Sequence, residues 1–234
     1  MPDQAPVTVL PIGTVDLAEV EAAVKRAGKN LGLAVEVGKP VSLPPGHYDA
    51  SRSQSHAAKA IAAIPATNVP TPRPAPGTTA DPKATRAATL SPMESWGSRT
   101  ITPGAPPSPA ARREGPAAPS GLSAPIRIGV TDADLYTERR EFVFTYADPS
   151  GRRAIISTKR LKEAFWKRKS DPPRQQNRLV REIVGAVALA AGSAPCEDPN
   201  CAAFVASSPL DIDRKSDRLC PNCDRRVRGG TLKY

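Results

Sequence analysis

The chain has 234 residues, including 27 prolines, with 4% aromatic residues and a net charge of +10 from 33 basic and 23 acidic side chains. That length allows one ordinary domain or two small ones, and the many prolines and few aromatics make the foldable part smaller than the length suggests. The longest apolar run, residues 183–191, is far too short to span a bilayer, and no signal-peptide-like core follows Met1, so a cytoplasmic protein without a membrane partner is expected.

In chain order, VTVLPIG (residues 7–13) predicts a strand. Asp16 with Glu19 makes a capping-box-like start to a helix whose apolar positions Leu17, Val20, Val24 and Leu31 recur at helical spacing. LAVEVGKPVSL alternates as a second strand does, and an alanine-rich helix over residues 51–64 completes a βαβα half, residues 1–64. Composition then shifts: residues 65–125 hold 14 prolines among Gly, Ser, Thr and Ala. Such a stretch buries too little apolar surface to offset its ordering entropy, so it is expected to be a disordered insert, with PxxP turns of the kind that dock SH3-like grooves.

The third region is residues 126–234. IRIGVT predicts a strand, and EFVFTY and RRAIIST flank the turn signal Asp148-Pro149-Ser150-Gly151, which predicts a hairpin. Two helices are expected next, over residues 159–169 and 174–191, split by Asp171-Pro172-Pro173. The second carries Leu179, Val180, Ile183, Val184, Val187 and Leu189 and is too apolar for a surface helix, so it should run through the core.

All four cysteines, Cys196, Cys201, Cys220 and Cys223, fall in the last 39 residues as Cys-x4-Cys, an 18-residue gap and Cys-x2-Cys. Two close pairs separated by a loop can converge tetrahedrally on one Zn²⁺ as a closed structural site. Two disulfides or inert buried thiols are the alternatives, and a reducing compartment favours the metal.

Read together with the buried helix and the segment VTDADLYT...EFVFTYADPSGRRAIISTKRL, the cysteine cluster resembles the archaemetzincin family of zinc metalloproteases. PIG at residues 11–13, YDASRSQSHAAKAI before the insert and most of residues 126–224 share in the likeness. The resemblance implies an α+β, metzincin-like zincin domain with a mixed sheet, a buried active-site-type helix and a C-terminal four-cysteine zinc site. Family members carry HExxHxxGxxHC, then a Cys-x-Met, then a CxxC about 17 residues further on, with a catalytic zinc on the three histidines and a second zinc on the four cysteines. Histidines four apart share one helix face, and the glutamate takes a proton from zinc-bound water as it attacks a peptide carbonyl.

With Cys196 matched to the cysteine after the third histidine, LVREIVGAVALAAGSAPC aligns without a gap. Gly185 then stands at the first histidine, Ala186 at the glutamate, Leu189 at the second histidine and Pro195 at the third, and only the turn glycine, Gly192, agrees. Cys201 is followed by Ala202 and Ala203, so the methionine is missing as well. The chain has two histidines in all, His47 and His56, which rules out a three-histidine site within it, and Ala, Leu and Pro offer a metal no electron pair. Glu182, one turn before Gly185, is the nearest carboxylate. The expectation is one structural zinc on the four cysteines, no catalytic zinc and a pseudoprotease that acts by binding an unknown protein or peptide. An active metallopeptidase with an unrecognised site and a nucleic-acid-binding zinc module are the alternatives.

Asp132 and Asp134 lie two apart after a strand, where aspartates usually accept hydrogen bonds in a turn rather than hold a metal. The basic stretch Lys159, Arg160, Lys162, Lys167, Arg168, Lys169, Arg174, Arg178 and Arg181, with Phe165 and Trp166, is the candidate nucleic-acid face. More often such a stretch is a solvated surface with its aromatics turned inward. Arg225, Arg226, Arg228 and Lys233 add charge past the CxxC, diluted by Asp211, Asp213, Asp217 and Asp224.

Overall fold

The computed structural model describes residues 7–67, 122 and 124–228. Contacts divide the chain into a body, Met1–Val69 with Ala118–Tyr234, and the segment Pro70–Ala117. The expected disordered insert lies outside the described residues except at its two ends.

The body begins with β1 (Val7–Ile12), α1 (Leu17–Leu31) and β2 (Val35–Val37). Asp16 caps α1 by accepting from the Ala18 and Glu19 amides, and Gly32 ends it at φ 64°, a left-handed conformation that glycine adopts without strain. β3 (Tyr48–Asp49), β4 (Gln54–His56) and the short α2 (Ala57–Ala60) follow. After the insert come β5 (Ile126–Thr131), β6 (Leu135–Thr137), β7 (Arg140–Val143), β8 (Thr145–Asp148) and β9 (Arg153–Ser157). The chain ends in α3 (Pro172–Ala190), α4 (Pro209–Arg214) and α5 (Pro221–Val227).

Two sheets result. The larger has the order β2-β1-β5-β9-β8, parallel apart from the antiparallel edge strand β8, and the smaller runs β3-β4-β6-β7. Alternation along the central strands decides what each face meets. Val7, Val9, Ile126, Ile128, Val130, Ala154 and Ile156 form one apolar core with α1 and α3. Leu10, Ile12 and Ile155 point the other way, onto α2, Ile64 and Leu135. Helix α3 is buried along nearly its whole apolar length, with Leu179, Val180, Ile183, Val184, Ala186 and Val187 all fully buried, as its composition predicts. Its two prolines occupy the first turn, where no intrahelical N–H bond is lost, so they start the helix instead of merely preceding it.

Several expectations are corrected. Residues 51–64 are not one helix: Gln54–His56 is a strand, because the side chains of this stretch are claimed by β6 and its loops, with Gln54 Nε2 donating to Asp134 and to the Glu141 carbonyl. EFVFTY splits at the buried Phe144 into β7, which pairs with β6, and β8, which forms the expected hairpin with β9. LAVEVGKPVSL is strand only over Val35–Val37, with an isolated bridge from Val41 to Ile12. Residues 159–169 form two 3₁₀ turns rather than a helix: the buried Glu163 carboxylate is drawn to Arg178, the Trp166 indole N–H donates to the Arg160 carbonyl, and Lys167 takes φ 57°. Leu17, at the start of α1, is 47% exposed and outside the core.

The two ends of the insert meet on the body. Thr67 Oγ1 donates to the Pro125 carbonyl at 3.1 Å, Arg127 Nη1 donates to the Pro65 and Ala66 carbonyls, and the buried Arg152 donates to the Ala124 carbonyl. The described ends of the insert are thus held together by the body. Replacing residues 70–117 by a short Gly-Ser link is therefore expected to preserve cooperative unfolding and to hold or slightly raise its midpoint, since each halving of a loop recovers about 0.6 kcal/mol. Thermal melting followed by circular dichroism checks this, and loss of the cooperative transition would contradict it.

Candidate metal centre

The polypeptide leaves α3 through Gly192 at φ 91° and returns at Cys196, whose amide donates to the Ala203 carbonyl and which forms an isolated bridge with Phe204. Cys201 sits in the turn between them. Cys220 caps α5, and Pro221 at the first helical position starts the turn that brings Cys223 back beside it. The four Sγ atoms all lie within 4.8 Å of one another, and Cys196 and Cys220 are 3.8 Å apart. Four thiolates around a zinc ion at Zn–S distances of about 2.3 Å would be spaced about 3.8 Å apart.

The donor set fits zinc in its chemistry as well as its spacing. All four thiols are free of disulfides, Cys201 and Cys223 are buried, and Cys196 and Cys220 are half-buried. Burial pushes the Cys201 and Cys223 thiols well up, so a thiolate there calls for a cation. Burial opposes the Cys220 thiolate too, but the Cys223 amide and the neighbouring sulfurs outweigh it and lower that value. Sulfur ligands in a four-fold closed set are those of a structural zinc.

The helix face expected to carry catalytic ligands presents a different surface. Gly185 and Ala186 are buried and Leu189 is half-buried; together they line a small cavity with Thr145, Phe204 and Lys215. Pro195 is exposed. A Cβ built on Gly185 would meet the Ala202 carbonyl oxygen at 2.3 Å, so the strip after Cys201 packs directly on the helix backbone. Glu182, the nearest carboxylate, is committed elsewhere: Lys215 Nζ donates to its Oε1 at 2.6 Å and Thr145 Oγ1 to its Oε2 at 2.6 Å. Of the two histidines, His56 ends β4 and His47 lies just before β3. His47 Nδ1 is 3.0 Å from Ser55 Oγ, and the His56 ring packs edge-on against Tyr136. Among the described residues the cysteines form the only cluster of ligand-type side chains suited to a metal ion.

The remaining candidates are tied into the fold. Asp134 accepts two hydrogen bonds from Arg160, each 2.7 Å, and Asp132 accepts from Thr14. Of the nine basic residues from Lys159 to Arg181, the five arginines are in ion pairs. Arg160 pairs with Asp134, and Arg168 and Arg174 reach Glu163. Arg178, fully buried, holds Asp213 through two bonds of 2.8 and 2.6 Å together with Glu163, and Arg181 joins Asp213. Arg160 also covers the ring of Phe165, and Trp166 is half-buried. Neither the Arg178–Asp213 pair nor the Glu182–Lys215 pair was read from the sequence. The partners stand 35 and 33 residues apart, and Asp213 and Lys215 lie in a charged stretch that looks like ordinary surface.

The sequence profile of Peptidase family M54 matches residues 122–229. Archaemetzincin from Methanocaldococcus jannaschii is 30% identical over 103 residues, covering 44% of this chain and 58% of that protein. Archaemetzincin from Pyrobaculum aerophilum is 36% identical over 104 residues, covering 44% and 61%. The chain thus spans little more than half the length of these curated relatives. In fold, it is similar to the crystal structure of a zinc-dependent peptidase from Methanocorpusculum labreanum, with a TM-score of 0.65 and 18% identity over 95% of this chain and 100% of that one. It is also similar to archaemetzincin from Archaeoglobus fulgidus complexed with malonate, with a TM-score of 0.62 and 20% identity over 95% and 99%. The mixed α+β architecture agrees with these solved structures, and over residues 122–229 the chain is similar to the archaemetzincin family.

Proposed function

We propose that this protein is a non-catalytic archaemetzincin homologue that holds one zinc on Cys196, Cys201, Cys220 and Cys223 and acts by binding a protein or peptide rather than by cleaving one. The observation that carries this reading is the packing at Gly185. Where the family resemblance calls for a histidine, the Ala202 carbonyl lies 2.3 Å from the position of a Cβ, so a side chain there requires the backbone to move. The other positions support it: Ala186, Leu189 and Pro195 supply neither a metal ligand nor a general base. The nearest carboxylate, Glu182, is already paired with Lys215.

A zinc held by four thiolates supplies cross-linking and not Lewis acidity, because it has no open position. The chain's own residues do the rest. Cys196 and Cys201 hold the segment after α3, and Cys220 and Cys223 hold the start of α5, so the centre ties the C-terminal strip to the core helix. Stable thiols at these positions suit a reducing compartment.

Metal analysis of the purified full chain is expected to find about one zinc per chain, with no chelator-sensitive cleavage of unstructured peptides. About two zinc ions together with chelator-sensitive cleavage would overturn the reading. Gly185→Ala is expected to destabilise the protein by about 1–3 kcal/mol through overpacking against the Ala202 carbonyl, even though alanine alone favours a helix by about 1 kcal/mol. Urea unfolding measures it, and an unchanged or raised stability would show that the 202–204 strip yields freely.

A further inference from the structure

Lys215 is 3% exposed and Glu182 4% exposed, so a full ion pair is buried beside the cavity that Gly185, Ala186 and Leu189 line. The ammonium has three donors and each has a partner: Glu182 Oε1 at 2.6 Å, the Phe204 carbonyl at 2.8 Å and the Ala202 carbonyl at 3.3 Å. Glu182 is anchored in turn by Thr145 Oγ1 of β8. One cation therefore joins α3 and the edge of the larger sheet to the strip that follows Cys201.

That strip carries the metal centre. The Ala202 amide donates to the Arg218 carbonyl at 3.1 Å, two residues before Cys220, and the Cys196 amide donates to the Ala203 carbonyl at 3.1 Å. The Cys220 amide points at Cys201 Sγ at 3.3 Å. Three of the four cysteines thus hang from backbone that Lys215 holds. A buried ion pair contributes little to stability over an apolar pair of the same volume, so net stability alone does not account for it. What an apolar pair would lack is the two hydrogen bonds to the Ala202 and Phe204 carbonyls.

We propose that Lys215, braced by Glu182, is the positioning residue of the four-cysteine centre. It draws the 202–204 strip down over Gly185, sets Cys201 against Cys196 and Cys220, and in the same act closes the helix face where catalytic ligands would stand. This inference rests on the reading of the four cysteines as a zinc centre.

The test is the rate at which the zinc-loaded full chain gives up its metal to a coloured chelator. Glu182→Leu with Lys215→Met removes both charges at similar volume and is expected to fold, with a cooperative melt like that of the wild type. It should nonetheless release zinc at least about tenfold faster, the scale on which groups supporting metal ligands act. Glu182→Gln keeps the packing and weakens only the brace, and its rate should fall between the two. A folded double variant releasing zinc at the wild-type rate would overturn the proposal. Should the double variant not fold, a wild-type rate for Glu182→Gln overturns it alone. A wild-type chain that carries no zinc would instead overturn the zinc reading itself.

Discussion

A helix can lie at the centre of this protein only if the charges it carries are answered there. α3 buries a row of apolar residues against the larger sheet and α1, but Arg178 and Glu182 go into the interior with them. An unpaired charge in such a place costs several kcal/mol. One partner of each comes from the C-terminal stretch: Asp213 of α4 meets Arg178, which Glu163 also holds, and Lys215, just after α4, meets Glu182. Ser208 starts α4 with a capping box, its Oγ accepting from the Asp211 amide while Asp211 accepts from the Ser208 amide, and so fixes where Asp213 and Lys215 fall. The core helix and the C-terminal region therefore specify one another.

The four-cysteine cluster is built on this arrangement. Cys196 is delivered by the end of α3, Cys201 by a strip packed on Gly185, and Cys220 and Cys223 by the start of α5. The small residues on this face of α3 belong to the same arrangement, since only a glycine at 185 lets the Ala202 carbonyl come so close. Under the proposed function, this face of α3 serves to seat the strip that carries Cys201.

Much of this was legible in the residues. Short apolar runs placed β1 and β5, the turn signal at residues 148–151 placed the β8–β9 hairpin, and the apolar density of residues 179–189 placed α3 in the core, because these signals are local and strong. Cysteine spacing predicted the cluster, because a helical turn and a return loop bring such pairs together almost regardless of context. Reading failed where long-range partners overrode local preference. EFVFTY is a good strand, but nothing local says that Phe144 divides it between two sheets. Residues 159–169 look helical by composition, but Glu163 is held by Arg178 fifteen residues on and the backbone bends into 3₁₀ turns to deliver it. Nothing local marks Lys215, and only the fold brings it to Glu182.

The central claim is that the metal chemistry of this chain resides in four thiolates and nowhere else among the described residues. Zinc K-edge X-ray absorption on the metal-loaded full chain tests it most directly. The account predicts a single shell of four sulfur atoms at about 2.3 Å with no nitrogen component; a substantial nitrogen or oxygen shell at about 2.0–2.1 Å would contradict it.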